Sequence, residues 1–126
     1  MTRYSSASHS AILLIGLLAG CGGGGGAPDV STPTAACHSA SSTLCNRWFA
    51  CDSSGATVKW GSAANCASQG VGFFDCSAAT CTPPATYNSG NAANCINGLS
   101  SISCNLFSST GIPFSDLPPS CFKICV

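Results

Sequence analysis

Cysteine is the residue best placed to do chemistry in this chain, with eleven in 126 residues. Ten of them are Cys37, Cys45, Cys51, Cys66, Cys76, Cys81, Cys95, Cys104, Cys121 and Cys125. Thiols at that density can close disulfides, ligate zinc or exchange electrons, and spacing separates these chemistries. No Cys-x-x-Cys occurs, which argues against a thioredoxin-like redox pair. Structural zinc sites use paired knuckles, and the spacings 37/45/51, 76/81 and 121/125 supply none. Ten cysteines in a small exported chain fit a disulfide framework, with the pairing left open. No metal and no other cofactor is expected.

Two other chemistries have raw material. His38 is the one histidine beyond the N-terminal segment, and serines are plentiful. A Ser-His-Asp arrangement would need His38 to face a serine and an aspartate across the fold, and no Gly-x-Ser-x-Gly context marks a nucleophile. Paired carboxylates for glycoside hydrolysis would come from Asp52, Asp75 and Asp116, since the chain has no glutamate. A turn, a position before a cysteine and a proline-rich loop suit capping and turn roles for those three. Catalysis is therefore not expected. The rival reading, a small cell-envelope hydrolase using His38 or an Asp pair, requires those groups to converge in one concave site. Trp60 and Tyr87 fall in turns or loops, where they could stack on a sugar, meet a protein partner or cover the edge of a thin core.

The elements that must position these residues are mainly helical. Thr32 and Pro33 form a helix start, with Thr32 as N-cap and Pro33 at the first helical position. At 100° per residue Cys37, Leu44, Trp48 and Cys51 share a narrow arc, flanked by Ala40 and Ser41, so the pattern predicts a helix over 33–51. Cys45 lies about 80° round, available to a second partner. "DSSG" reads as a turn, and "ATVKW" as a short strand or one arm of a hairpin. A second helix begins at "GSAANC" with Ser62 as cap and runs through Gly70-Val71-Gly72, so that Cys66, Phe73 and Cys76 share a face. Pro83 and Pro84 fix a loop. A third helix is predicted over 91–106, with Cys95, Leu99, Ile102 and Leu106 in one stripe and Cys104 facing away, toward a different partner from Cys95. Prolines leave the last segment no regular element beyond a final turn. Trp48, Phe73 and Phe107 are the expected core aromatics. The predicted fold is a small, disulfide-rich, mainly α domain of about three short helices joined by proline-rich loops.

The first residues address the chain. Arg3 and the α-amine precede the short apolar run "AILLIGLLA", which falls below the roughly 20 residues needed to span a bilayer. Ala19 and Gly20 supply small residues before Cys21. The tetrapeptide Leu18-Ala19-Gly20-Cys21 resembles the lipobox of bacterial lipoproteins. That resemblance implies alkylation of the Cys21 thiol by diacylglyceryl, cleavage before Cys21 and acylation of the new α-amine. Two chains suffice for stable anchoring, at about 0.8 kcal/mol per buried CH₂. The alternative is an ordinary signal peptide whose Cys21 joins a disulfide. Residues 1–20 thus read as the signal, 21–32 as a Gly/Pro tether and 33–126 as the disulfide-rich domain. Gly at position 22, where Asp commonly retains lipoproteins at the inner membrane, favours the outer membrane.

Charge excludes one partner class. Four Lys or Arg balance four Asp, for a formal net charge of zero. Such a surface has no footprint for phosphate backbones, so nucleic acid is not an expected partner. Ser, Thr, Asn and Gly leave a neutral, hydrogen-bonding surface that suits glycan or protein contacts. Two segments echo each other, "AANCASQGVGFFDC" at 63–76 and "AANCINGLSSISC" at 92–104, each opening on Ala-Ala-Asn-Cys.

The run Cys37-x7-Cys45-x5-Cys51, then Cys66 and Cys76, "ANCINGLSSISC" and "LPPSC", resembles cysteine-rich lipoproteins common in myxobacteria and related bacteria. "LCNRWFAC" and "CINGLSSISC…LPPSC" carry most of it, and it covers about residues 35–121. The resemblance implies a small helical fold and no assigned activity. Cys81 and Cys125 are additional to that family's usual set, which points to one extra bridge. The expected function is a membrane-anchored extracytoplasmic module, non-catalytic, binding or structural, with an envelope protein or glycan as partner. A secreted effector is the further alternative, should Cys21 carry no lipid.

Overall fold

Thr32 opens the first helix through its side chain. In the computed structural model, which describes residues 27–69, 76 and 79–126, Thr32 is extended and its Oγ1 accepts the Ala35 N–H at 3.1 Å. Helix α1 then runs Pro33–Cys51. Asp52 ends it by donating its N–H to the Trp48 carbonyl at 2.8 Å. The Asp52 carboxylate next accepts the Gly55 N–H at 3.0 Å and opens α2, Ser53–Trp60. One aspartate thus closes one helix and caps the next.

This corrects the strand or hairpin expected at "ATVKW". Thr57 and Val58 are β-branched, but the Asp52 cap and burial of Ala56 at 0 % exposure outweigh their weak strand preference. The turn expected at "DSSG" is the cap and first turn of this helix. Gly61 ends α2 at φ +76°, a backbone region that glycine enters without steric cost. Ser62 caps α3, Ala63–Gln69, its Oγ accepting the Asn65 N–H at 3.1 Å. The expected continuation through Gly70-Val71-Gly72, with Phe73 and Asp75, lies outside the described residues.

Helix α4 spans Ser89–Ser100 under an Asn88 cap whose Oδ1 accepts the Asn91 N–H at 2.8 Å. It starts earlier and stops sooner than the predicted 91–106. The Ser100 and Ser101 hydroxyls donate back to the Asn97 and Gly98 carbonyls, competing with helix continuation. Arg47 Nε holds the Ile102 carbonyl at 2.8 Å just beyond. Three short 3₁₀ turns follow, at Cys104–Leu106, Phe114–Asp116 and Pro119–Lys123. The described residues therefore hold four α-helices where about three were expected. They form no β-strand, only isolated bridges pairing Tyr87 with Cys125 and Ser108 with Gly111. The domain is mainly helical.

Helix α1 is the axis of the core. One cluster packs Ala40 and Leu44 against Cys95, Ile96, Leu99, Ile102, Ile112 and Leu117. A second packs Cys45 and Trp48 against Ala56 and Cys66. Phe107 touches both clusters and lies 6.0 Å from Trp48 between ring centroids. Ser41 is the one buried polar residue of α1, and its hydroxyl donates to the Ala67 carbonyl at 3.1 Å.

Five disulfides complete the frame. Three start on α1: Cys37–Cys76, Cys45–Cys66 and Cys51–Cys104. Cys95–Cys121 ties α4 to the last 3₁₀ turn, and Cys81–Cys125 fastens the proline loop to the C-terminus. Cys95 and Cys104 have different partners. The bridges close loops of 21 to 53 residues, each worth about 3–4 kcal/mol in the chain-entropy model, though not additively. A small cysteine-rich domain with this many bridges suits an oxidising, extracytoplasmic compartment.

Candidate functional site

Two concavities open on different sides of α1. The first is apolar, about 200 Å³, and lies along the first two turns. Pro33, Ala36, Cys37 and Ala40 form one wall, and Leu117, Cys121, Ile124 and Cys125 form another. Cys37, Cys121 and Cys125 each belong to a different disulfide, which ties the walls to Cys76, Cys95 and Cys81 rather than to each other. Phe114 and Phe122 stand at its edge, 54 % and 49 % exposed, with ring centroids 4.8 Å apart in an edge-to-face pair. No charged side chain is among its described lining residues. Thr80 is the one polar side chain among its described lining residues, and a hole so lined suits an apolar body.

The second concavity is a polar groove of about 590 Å³ between α1 and α4. His38, Ser42 and Asn46 follow one another at four-residue steps on α1, with Ser39 and Thr43 beside them. Ile96, Asn97 and Ser100 of α4 face them, and Ala27, Pro28 and Asp29 add a further side. That last side is tied down: the Ser39 hydroxyl donates to the Asp29 carbonyl at 3.0 Å. The Tyr87 hydroxyl donates to the Val30 carbonyl at 2.9 Å, while Val30 packs on the first core cluster. Residues 29–32 of the segment assigned to the tether therefore lie against the domain.

Electrostatics in the groove are local. The Ser31 N–H and hydroxyl, at 3.0 and 2.7 Å from Asp29 Oδ1, hold that carboxyl below its ordinary range. Desolvation, with the Asp29 charge as a lesser cause, pushes the Tyr87 phenol above its ordinary value. His38 is exposed and, among the described residues, its imidazole makes no hydrogen bond. The groove gathers an imidazole, a carboxylate and the Ser39 and Ser42 hydroxyls without joining them as a relay.

The residues singled out from sequence fall as follows. Asp52 caps α2 and Asp116 is exposed in a 3₁₀ turn; Asp75 and Cys21 lie outside the described residues. Neither Asp52 nor Asp116 lines either concavity, and the carboxylate near His38 is Asp29, which sequence reading did not single out. Trp60 ends α2 and meets Trp48 edge-on at 6.3 Å. Lys59 Nζ lies 5.3 and 5.4 Å from those two rings and donates to the Ser109 and Thr110 carbonyls. Trp60 and Tyr87 thus both serve internal contacts, and neither lines the two concavities. Phe114 and Phe122 were missed. Their signal was two phenylalanines in a proline-rich segment too irregular to give them a buried face.

Among the described residues no three His, Cys, Asp or Glu side chains stand together as metal ligands, and no helix is long and apolar enough to cross a membrane. No protein-family model, no curated protein and no solved structure matches this chain.

Proposed function

We propose that the protein is a lipid-anchored, non-catalytic binding module of the bacterial cell envelope, held on the outer membrane through Cys21. The observation that carries this reading is the distribution of cysteines. Ten of the eleven are taken in five bridges within the domain, leaving Cys21 without a partner there. That weighs against an ordinary signal peptide whose cysteine joins the disulfides, and favours the lipobox reading of Leu18-Ala19-Gly20-Cys21. The resemblance to cysteine-rich lipoproteins of myxobacteria points the same way.

The polar groove is the face offered to a partner. Its hydroxyls and amides suit a neutral, hydroxyl-rich molecule such as an envelope glycan, or a polar protein surface. The non-catalytic part of the proposal rests on His38, whose imidazole has neither a serine nor a carboxylate bonded to it among the described residues.

The test is expression of the full chain and of its Cys21→Ser variant in a diderm bacterium fed an alkyne-labelled fatty acid. The wild type takes up label and fractionates with the outer membrane, and Cys21→Ser does neither. A wild type that stays unlabelled and soluble would overturn the anchor and favour a secreted effector.

A further inference from the structure

The five bridges that frame the domain are not equally held. Cys45–Cys66 is wholly buried, and Cys37–Cys76 and Cys95–Cys121 each have one buried end. Cys51–Cys104 is more open, but Cys51 is the last residue of α1 and Cys104 the first of a 3₁₀ turn. Cys81–Cys125 alone has both ends outside any helix, with Cys81 half-buried and Cys125 exposed. Whether a bridge yields to a thiol depends on access to its sulfurs and on how firmly the fold keeps the two freed thiols together. On both counts Cys81–Cys125 is the weakest of the five.

What that bridge fastens is a short ladder. Thr86 and Val126 exchange backbone hydrogen bonds at 2.6 and 2.9 Å, and the Asn88 N–H donates to the Ile124 carbonyl at 2.8 Å. Tyr87 pairs with Cys125 between them, and its hydroxyl donates to the Val30 carbonyl, next to the groove wall of residues 27–29. Tyr87 thus joins the bridged cysteine to the segment that walls the groove. We propose that Cys81–Cys125 is a redox-sensitive latch: reduction by a dithiol loosens the ladder and, through Tyr87, releases the groove wall. One thiolate of the dithiol attacks a sulfur of the bridge, forming a mixed disulfide and freeing one cysteine. Its second thiol displaces the other, so the dithiol leaves as a disulfide, and two electrons and two protons end on Cys81 and Cys125. The ladder is then left to its hydrogen bonds and to the packing of Ile124, which is marginal for so short a pairing. The bearing of the latch on a partner rests on the groove's being the binding face; release of the wall does not.

The experiment exposes the oxidised full chain to graded dithiothreitol, traps thiols with N-ethylmaleimide and maps them by peptide mass. Cys81 and Cys125 take up label before the other eight bridged cysteines; Cys21 is scored apart, since its labelling reports only on the anchor. In that singly reduced form amide exchange at 29–32 quickens roughly 2- to 10-fold, as loss of one hydrogen bond implies, while the buried middle of α1 exchanges as before. Re-oxidation restores the slow exchange. Tyr87→Phe quickens the same amides in the oxidised protein and adds little once the bridge is open, as two changes on one path should.

The latch is overturned if Cys51 and Cys104 are labelled as early, or if exchange at 29–32 is unchanged once Cys81 and Cys125 carry label. It is also overturned if α1 quickens alike, the mark of general unfolding, or if reduction and Tyr87→Phe add in full. Failure of the groove to bind a glycan or protein would appear in a binding assay and not in these readings, so the two proposals fail separately.

Discussion

The Tyr87 hydroxyl reaches across 57 residues of sequence to donate to the Val30 carbonyl at 2.9 Å. With the Ser39 bond to the Asp29 carbonyl, it fixes the end of the tether segment beside the polar groove. Tyr87 is the single tyrosine of residues 21–126, so tyrosinate absorbance reads it alone. Its phenol is raised, so its contribution to stability is complete below the ordinary phenol value and is lost as pH rises through the folded value. Absorbance should titrate above the ordinary range, with amide exchange at 29–32 quickening in the same window. Tyr87→Phe should weaken that attachment by about 1 kcal/mol. Titration at the ordinary value with unchanged exchange in Tyr87→Phe would contradict the assignment.

Asp29 gives the opposite sign. Its carboxyl is lowered by the Ser31 N–H and then the Ser31 hydroxyl, so the contribution is present above the ordinary carboxylate value and fades as pH falls through the folded one. Carboxyl chemical shifts followed by NMR should place Asp29 below the ordinary carboxylate value. Asp29→Asn should abolish the acid-side change in exchange at Ser31 while leaving the alkaline one at Tyr87.

Gly98 marks where α4 touches the last 3₁₀ turn. A Cβ there would stand 2.6 Å from Pro118 Cγ, within the element pair that Cys95–Cys121 joins. Alanine would gain about 1 kcal/mol of helix propensity, but overpacking costs about 1–3 kcal/mol and the bridge resists separation. Gly98→Ala should lower the denaturation midpoint under oxidising conditions. An unchanged or higher midpoint would mean that Pro118 moves freely.

Lys59 ties α2 to the 108–111 turn through two carbonyls and lies over Trp48 and Trp60. Replacing it with methionine keeps most of the stem and removes the charge. The expected loss is about 0.5–1 kcal/mol in denaturant unfolding, with a changed tryptophan emission. No change in either would show that the ammonium adds nothing to the packing.

Much of α1 could be read in advance because its signals are local. Thr32 and Pro33 announce the start within two residues, and Leu44 and Trp48 repeat on one side. Helix α2 was misread because Thr57 and Val58 favour strand locally, while burial of Ala56 beneath α1 depends on distant contacts. The α4 boundary slipped because Ser100 and Ser101 bond back to their own helix, which apolar periodicity does not register. The Tyr87 hydroxyl joins Val30 across 57 residues, and Phe114 and Phe122 meet at a concavity whose walls come from α1 and the C-terminal segment. Pairings such as Cys51 with Cys104 carry no local signature at all.

In the proposed reading ten cysteines lock the domain and the eleventh, Cys21, holds it to a membrane. The most direct test is an intact mass of membrane-extracted protein under non-reducing conditions, after alkylation of any free thiol. The expected mass is that of residues 21–126 with five disulfides, plus the acyl groups on Cys21, and no alkylation. An unlipidated, soluble species, or one with alkylated cysteines within 37–125, would contradict it.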